Sequence, residues 1–365
     1  MAEELNIWLI GGGLAIGVLF GMVVQQSRFC MLSAVTNLVL MRDYRQLHAV
    51  LAAIAVAVIG TQILESGGWV AVAESSYRTA RLDWAGTLLG GLVFGFGTVL
   101  AGGCAGRTVV CAAEGNLGSL LVLLVFAFAA MMTLYGVLSP LRVSLVEATA
   151  TELSRGDASI ATLLGLPSWA LTMTIGVVCL AVILFVGRGG RSTGLVVAGA
   201  LVGMLVVAGW WVTGYLAQDE FELTVRRPGS LVFAGPLARA GLYVTSQSIP
   251  WSVFSIPMVF GVMLGAAVTA IVTRTFRWTP PQADQVGYYL IGGLMMGIGA
   301  ILAGGCNIGN GLSGISTLSV KAVIAIAAII VGTRLALAWL LHKEEYEQAP
   351  APGNAKIHAP QGSPL

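Results

Sequence analysis

Nine long apolar stretches constrain this chain more than any other feature. They lie at 7–24, 47–64, 84–101, 117–139, 168–187, 194–216, 251–273, 285–303 and 318–341, and the first eight contain no Asp, Glu, Lys or Arg. The ninth contains Lys321 and Arg334. Runs of this length and purity match the hydrocarbon core of a bilayer, about 30 Å thick. Only 10% of the 365 residues are charged and 57% are hydrophobic, whereas a soluble domain carries about 25% charge. A cytoplasmic enzyme and a disordered scaffold are excluded on that ground. The 19 basic and 17 acidic residues leave a net charge of +2, with no basic tail or polycationic helix, so a nucleic-acid partner is excluded too. The expectation is an all-α polytopic membrane protein with about nine transmembrane helices, lodged in the lipid bilayer. Several stretches are short for a full crossing, which predicts broken or re-entrant pieces.

The loops suggest a sidedness. If the N-terminus lies outside, the inner loops hold Arg28, Arg42, Arg45, Arg107, Arg188, Arg191, Arg274, Arg277, Lys343 and Lys356, and most acidic residues fall outside. The excess of Lys and Arg on short inner loops predicts an N-terminus outside and a C-terminus in the cytoplasm. Residues 1–343 read as one membrane domain. Residues 344–365, rich in Pro, Ala, Gly and Gln, read as a disordered tail.

Internal repetition is the next signal. Residues 89–104 and 290–306 share Gly-Gly-x3-Gly-x-Gly-x2-Leu-Ala-Gly-Gly-Cys in one register, ending at Cys104 and Cys306. A looser copy places Gly17 and Gly21 before Cys30 as Gly91 and Gly95 stand before Cys104. A fourth copy, Gly199 and Gly203, has Val212 where the thiol would be, after Trp210 and Trp211. The order Cys30, Cys104, Val212, Cys306 predicts two pseudo-symmetric halves, about 1–150 and 165–343. A Gly-Gly pair lets the backbone leave helical geometry, and a helix broken at membrane depth must line a cavity or be buried in protein. Gly102-Gly103 and Gly304-Gly305 fit such breaks. Each following half-helix would turn its N–H groups and positive dipole end toward a centre lined by thiols.

The Ser27-Arg28-Phe29-Cys30 stretch and the two Ala-Gly-Gly-Cys stretches resemble the YeeE/YedE family of sulfur-compound transporters, over most of residues 7–341. The resemblance implies thiosulfate uptake across the bacterial inner membrane. It implies nine spanning helices with short re-entrant helices meeting at the centre, and pathway cysteines at Cys30, Cys104 and Cys306. It also implies a cytoplasmic TusA-like sulfur-carrier protein as a partner. Some relatives are linked to selenium compounds or other sulfur species instead.

Thiosulfate is a divalent anion that must exchange its water for other donors on the way through. Backbone amides and S–H groups can supply weak, repeated sites, which suit an ion that has to leave again. The expected relay steps along Cys306, Cys104 and Cys30, with the thiols neutral because thiolates would repel the ion. Arg107 either attracts the anion or anchors its helix, and Arg28 has the same two readings. Asn307, Asn310, Asn116, Gln25 and Gln26 are possible amide donors, and Glu114 is expected to pair with an arginine. Cys179 and Cys111 read as packing residues. Trp210 and Trp211 read as interfacial anchors or as a wall that narrows the path, and Lys321 and Arg334 as snorkelling or paired. No cofactor and no resident metal are expected.

Two other classes stay open. A membrane thiol enzyme could carry a persulfide on Cys104 or Cys306, although His48, His342 and His358 are remote in sequence from the repeats. A soft-metal permease would want Met-x-x-Met, His clusters or Cys-x-x-Cys, which the chain lacks.

Overall fold

The computed structural model describes residues 2–152, 157–186, 192–216, 227–246 and 254–348. The helices are α1 (Ala2–Ser27), α2 (Met31–Met41), α3 (Arg45–Ser66), α4 (Trp84–Leu100), α5 (Ala105–Ala113), α6 (Leu117–Leu134), α7 (Ser139–Thr149), α8 (Ile160–Leu164), α9 (Ser168–Phe185), α10 (Thr193–Trp211), α11 (Ala234–Ser246), α12 (Ser255–Val272), α13 (Val286–Leu302) and α14 (Val320–Gln348). Strands β1 (Arg81–Asp83) and β2 (Ala150–Glu152) form one short antiparallel pair with Arg81 opposite Glu152. A π-helical turn, Val212–Leu216, extends α10, and a second, Gly309–Gly314, lies within a short helix over 307–316.

Every apolar stretch of the sequence carries a helix. Among the described residues eight helical segments are long and apolar enough to cross a membrane, and Val286–Leu302 is a shorter apolar ninth. At 17 residues, α13 spans about 25 Å, slightly less than the hydrocarbon core. The protein is therefore a multi-pass, all-α membrane protein. The stretch 117–139 ends early: α6 stops at Leu134, and a new helix, α7, begins at Ser139 with proline in its first turn. Proline lacks an N–H to continue a helix but is tolerated where one starts. At the other end α14 runs on to Gln348, into the stretch read as tail. The rest of that tail and the loop 187–191 lie outside the described residues.

The loops sort into two ends as the alternation of spans requires. At one end Arg28 pairs with Glu114 at 2.9 Å, and the loop after α5 bonds to the loop after α12 through Leu117 N–H to the Thr279 carbonyl, 3.0 Å. At the other end Arg78 is clamped between Glu65 and Asp157. There Val320 N–H donates to the Ala158 carbonyl at 3.0 Å, tying the start of α14 to the segment before α8.

Glycine pairs set how closely the helices pack. Gly17 and Gly21 of α1 lie against the carbonyls of Met258 and Val262 on α12. Gly91 and Gly95 of α4 lie against those of Ala325 and Ile329 on α14. Gly293 and Gly297 of α13 face Val122 and Phe126 on α6, and Gly199 and Gly203 of α10 face Ala49 and Ala53 on α3. At all four crossings, then, a glycine pair spaced by four covers a carbonyl pair spaced by four. Without a Cβ the backbones approach to van der Waals and Cα–H···O distance, which is what holds helices together in lipid. A fifth crossing joins α4 to α13 through Gly97 and Gly292, where a Cβ on either would meet the other's carbonyl oxygen at 2.9 Å. Phe20, Phe94, Phe126, Trp210, Phe233, Met258 and Met296 fill one continuous core between these helices.

Candidate functional site: paired glycine breaks and their thiols

The two Ala-Gly-Gly-Cys stretches fold alike. Helices α4 and α13 end at Leu100 and Leu302, and Gly102 and Gly304 each adopt φ +73°. A β-carbon is disfavoured at that angle, so glycine is needed there. Gly103 N–H then returns to the Thr98 carbonyl at 3.1 Å and Gly305 N–H to the Ala300 carbonyl at 2.9 Å. The chain restarts as helix at Ala105 and at 307, with Cys104 and Cys306 immediately before the first helical residue. The first copy breaks by other means. Arg28, not glycine, takes the left-handed conformation at φ 56° between α1 and α2. Ser27 Oγ accepts from Phe29 N–H at 3.2 Å, while Gln46 accepts from Cys30 N–H at 3.4 Å and donates to the Arg28 carbonyl at 3.2 Å.

Cys30 and Cys104 occupy the cap positions of α2 and α5 with extended backbones, and neither side chain makes a capping hydrogen bond. The first-turn amides, at the positive end of each helix, thus meet only the weakly accepting sulfur: those of Leu32 and Ser33 face Cys30 and that of Arg107 faces Cys104. The amides of Ile308, Gly309 and Phe233 are oriented toward the Cys306 sulfur. The thiols are free and buried, and Cys30 Sγ lies 3.9 Å from Cys104 Sγ. Cys306 belongs to the central core rather than to that pair. The gap is spanned by the first turns of the half-helices. A Cβ on Gly106 would meet Ile308 Cδ1 at 2.5 Å and the Phe233 ring at 3.4 Å.

Phe233 corrects the reading of the fourth copy. The chain shows no break at Val212, where α10 passes into a π-helical turn. The fourth N-terminus at the centre is that of α11, whose Leu237 N–H bonds the Phe233 carbonyl at 3.1 Å. Phe233 thus stands immediately before α11 as Cys30 and Cys104 stand immediately before α2 and α5. Its signal in the sequence was the flanking Pro228-Gly229 and Gly235-Pro236 pairs, which punctuate the backbone as the Gly-Gly pairs do. Trp210 is no interfacial anchor: it is fully buried and donates through Nε1 to Ser316 Oγ at 3.1 Å. Trp211 stacks on Tyr215 and meets Trp69 edge-on.

The polar candidates divide. Asn310 braces the break from within: its Nδ2 donates to the carbonyls of Gly305, 2.9 Å, and Ala303, 3.3 Å, while its Oδ1 is buried without a partner. It has no N–H to spare for an anion. Asn307 is buried with an unpartnered Oδ1. Asn116 caps α6 by accepting from Ser119 N–H at 2.9 Å, and Gln25 donates to Thr275 Oγ1 at 3.0 Å, so both are structural. Glu114 pairs with Arg28 at 2.9 Å and lies 3.8 Å from Arg107. Arg107 keeps a buried Nη1 with no hydrogen bond. Lys321 pairs with Asp83 at 2.7 Å. Cys179 is buried on α9 away from the breaks.

On the Cys306 side a cavity of about 500 Å³ opens between Tyr77, Arg227, Ser230, Arg239, Gly304 and Gly305. Among the described residues no carboxylate lines it. A sequence model described as sulphur transport matches residues 26–335. The chain belongs to the sulphur transport family. Among its relatives in this family is a protein named thiosulfate transporter TsuA from Escherichia coli K12, 28% identical, the match covering 93% of this chain and 97% of the relative. A protein of the same name from Spirochaeta thermophila is 30% identical, with 92% of this chain and all of the relative covered. A probable transporter YedE from Salmonella typhimurium is 33% identical over 109 residues only, 29% of this chain. The family settles the class: the chain is a membrane transporter of sulphur compounds, not an enzyme.

Proposed function

We propose that the chain imports thiosulfate through the centre of the molecule, handing it from Cys306 to Cys104 and Cys30. The observation that carries this reading is the meeting of Gly106, Ile308 and Phe233, which brings the starts of the half-helices after Cys104 and Cys306, and of α11, to one point. The cavity with Arg227 and Arg239 is the mouth: its positive charge, which no carboxylate among the described lining residues offsets, concentrates a divalent anion beside Gly304-Gly305. Among the described residues the buried centre holds no fixed charge pair, so donors there are amides and S–H groups, strong enough to replace water and weak enough to release. The Cys30–Cys104 pair follows, and the ion leaves past Arg28 and Arg107, whose charge Glu114 partly offsets. Sidedness follows the excess of basic residues at that second end, which faces the cytoplasm of a bacterial inner membrane, with the N-terminus outside. A TusA-like carrier would receive the sulfur there. The matching breaks after α4 and α13 support two related halves within a single domain.

The test is radiolabelled thiosulfate uptake in cells lacking their own importers, at matched membrane expression. Cys104→Ala and Cys306→Ala are each expected to abolish uptake. Retained uptake in both would demote the thiols to packing. No uptake by the unmodified chain would overturn thiosulfate as the substrate.

A further inference from the structure

A second cavity, about 290 Å³, lies on the other side of the Gly304 peptide from the mouth just described. Thr79, Arg81, Asp83, Arg142, Gly304 and Lys321 line it. Arg81 opens β1, Arg142 sits on α7, and Lys321 is in the first turn of α14, so three elements each deliver one cation. Among the described residues Asp83 makes one ion pair, with Lys321 at 2.7 Å, and accepts from Thr87 Oγ1 at 3.5 Å. Arg81 has no carboxylate partner among the described residues, and Arg142 keeps a buried Nε without any acceptor. The lining therefore carries three positive charges against one negative in a space of roughly ten water volumes, with Glu152, opposite Arg81 across the β1–β2 pair, standing outside it. A buried guanidinium N–H without an acceptor is costly, which makes it a standing vacancy for one. Lys321 Nζ would lie 3.2 Å from a Cβ on Gly304, whereas Gly102, the matching glycine of the other repeat, has nothing within 4 Å.

We infer that Arg81, Arg142 and Lys321 form a second binding site for a small divalent tetrahedral oxyanion, separated from the transport pathway by the Gly304-Gly305 loop. The site recognises charge and oxygen geometry through guanidinium and ammonium donors, and has no thiol to read a soft sulfur. Sulfate and thiosulfate therefore both fit it. An anion there also competes with Asp83 for Lys321, so occupancy is coupled to the loop that presents Cys306. The inference stands whether or not thiosulfate is the transported ion.

Radiolabelled sulfate binding to the purified full-length protein, by equilibrium dialysis in detergent, tests it. The expected result is one sulfate per chain, lost in the Arg81→Gln/Arg142→Gln double variant and retained in Arg142→Lys and in Cys104→Ala. Sulfate binding unchanged in the double variant overturns the site, as does its absence from the unmodified protein. A folded-state check by circular dichroism accompanies each variant, and retention in Arg142→Lys separates loss of charge from loss of fold. The same titration in phosphatidylglycerol nanodiscs distinguishes the source of the anion. Sulfate binding that survives there supports a soluble ligand, and binding abolished there assigns the cavity to a lipid phosphate and overturns it.

Discussion

Cysteine is a poor helix cap, and at Cys104 that weakness is the useful property. A Ser, Thr, Asp or Asn at this position would turn its oxygen onto the first-turn amides and close them to any other acceptor. The thiol is a weak acceptor and leaves them available to a stronger one, at a helix start that the +73° φ of Gly102 aims into the protein. Cys104→Ser is therefore expected to stabilise α5 by about 1 kcal/mol while lowering thiosulfate uptake. Thermal unfolding of the purified variant beside an uptake assay checks both, and unimpaired uptake in a stabilised variant would refute the role given to the amides. Arg28 shows the opposite compromise. Its left-handed backbone costs roughly 1–2 kcal/mol in a non-glycine residue, and the Gln46 and Glu114 contacts hold it in place.

Helix packing here depends on backbones touching. The α4–α13 crossing carries both half-helices that present Cys104 and Cys306, so its spacing sets theirs. Gly97→Val would drive a branched side chain into the Gly292 carbonyl and Met295. The expected cost is about 1–3 kcal/mol, as for other overpacked cores, with uptake lost through displacement of both breaks. Gly11→Ala on α1 is the control, because nothing lies within 4 Å of its added Cβ. It should leave uptake unchanged and, by helix propensity, gain up to about 1 kcal/mol. Equal damage from both substitutions would show that the crossing has no special place.

Across the whole molecule, one ion-pair cluster joins segments far apart in the chain. Arg78 holds Glu65 and Asp157, while Ser319 Oγ donates to the Tyr77 carbonyl, so the loop before β1, the segment before α8 and the start of α14 move as one. Burial pushes the Asp157 carboxyl up, but the hydrogen bond and charge of Arg78 outweigh it and hold the group below the usual carboxylate range. A folded pKa below the unfolded value of about 3.9 gives stability that is fully present above that pH and lost as the pH falls through the folded value. Asp157→Asn is accordingly expected to lower the melting temperature near neutral pH and to remove part of the acid-side decline. A variant that melts like the unmodified protein at neutral pH, with the same acid limb, would show that the cluster contributes nothing.

The sequence by itself determined the class of fold and two of the three breaks. Uncharged apolar runs have one stable environment, and Gly-Gly-Cys repeated in register has few physical uses beyond breaking a helix twice in the same way. It also marked the glycine pairs, although not their partners, because which helix lies across from Gly95 or Gly203 depends on contacts between residues distant in the chain. Only the tertiary structure decided the rest. It turned Asn310 inward to brace the loop, where a sequence shows an amide but not which carbonyls surround it. It put Phe233 rather than Val212 at the fourth N-terminus, because a break is a backbone event and the repeat spacing did not carry through the π-helical turn after α10. It brought Arg81, Arg142 and Lys321 around one cavity from three separate elements. Local backbone chemistry is written in neighbouring residues, while a site assembled across the fold exists only once those elements have packed.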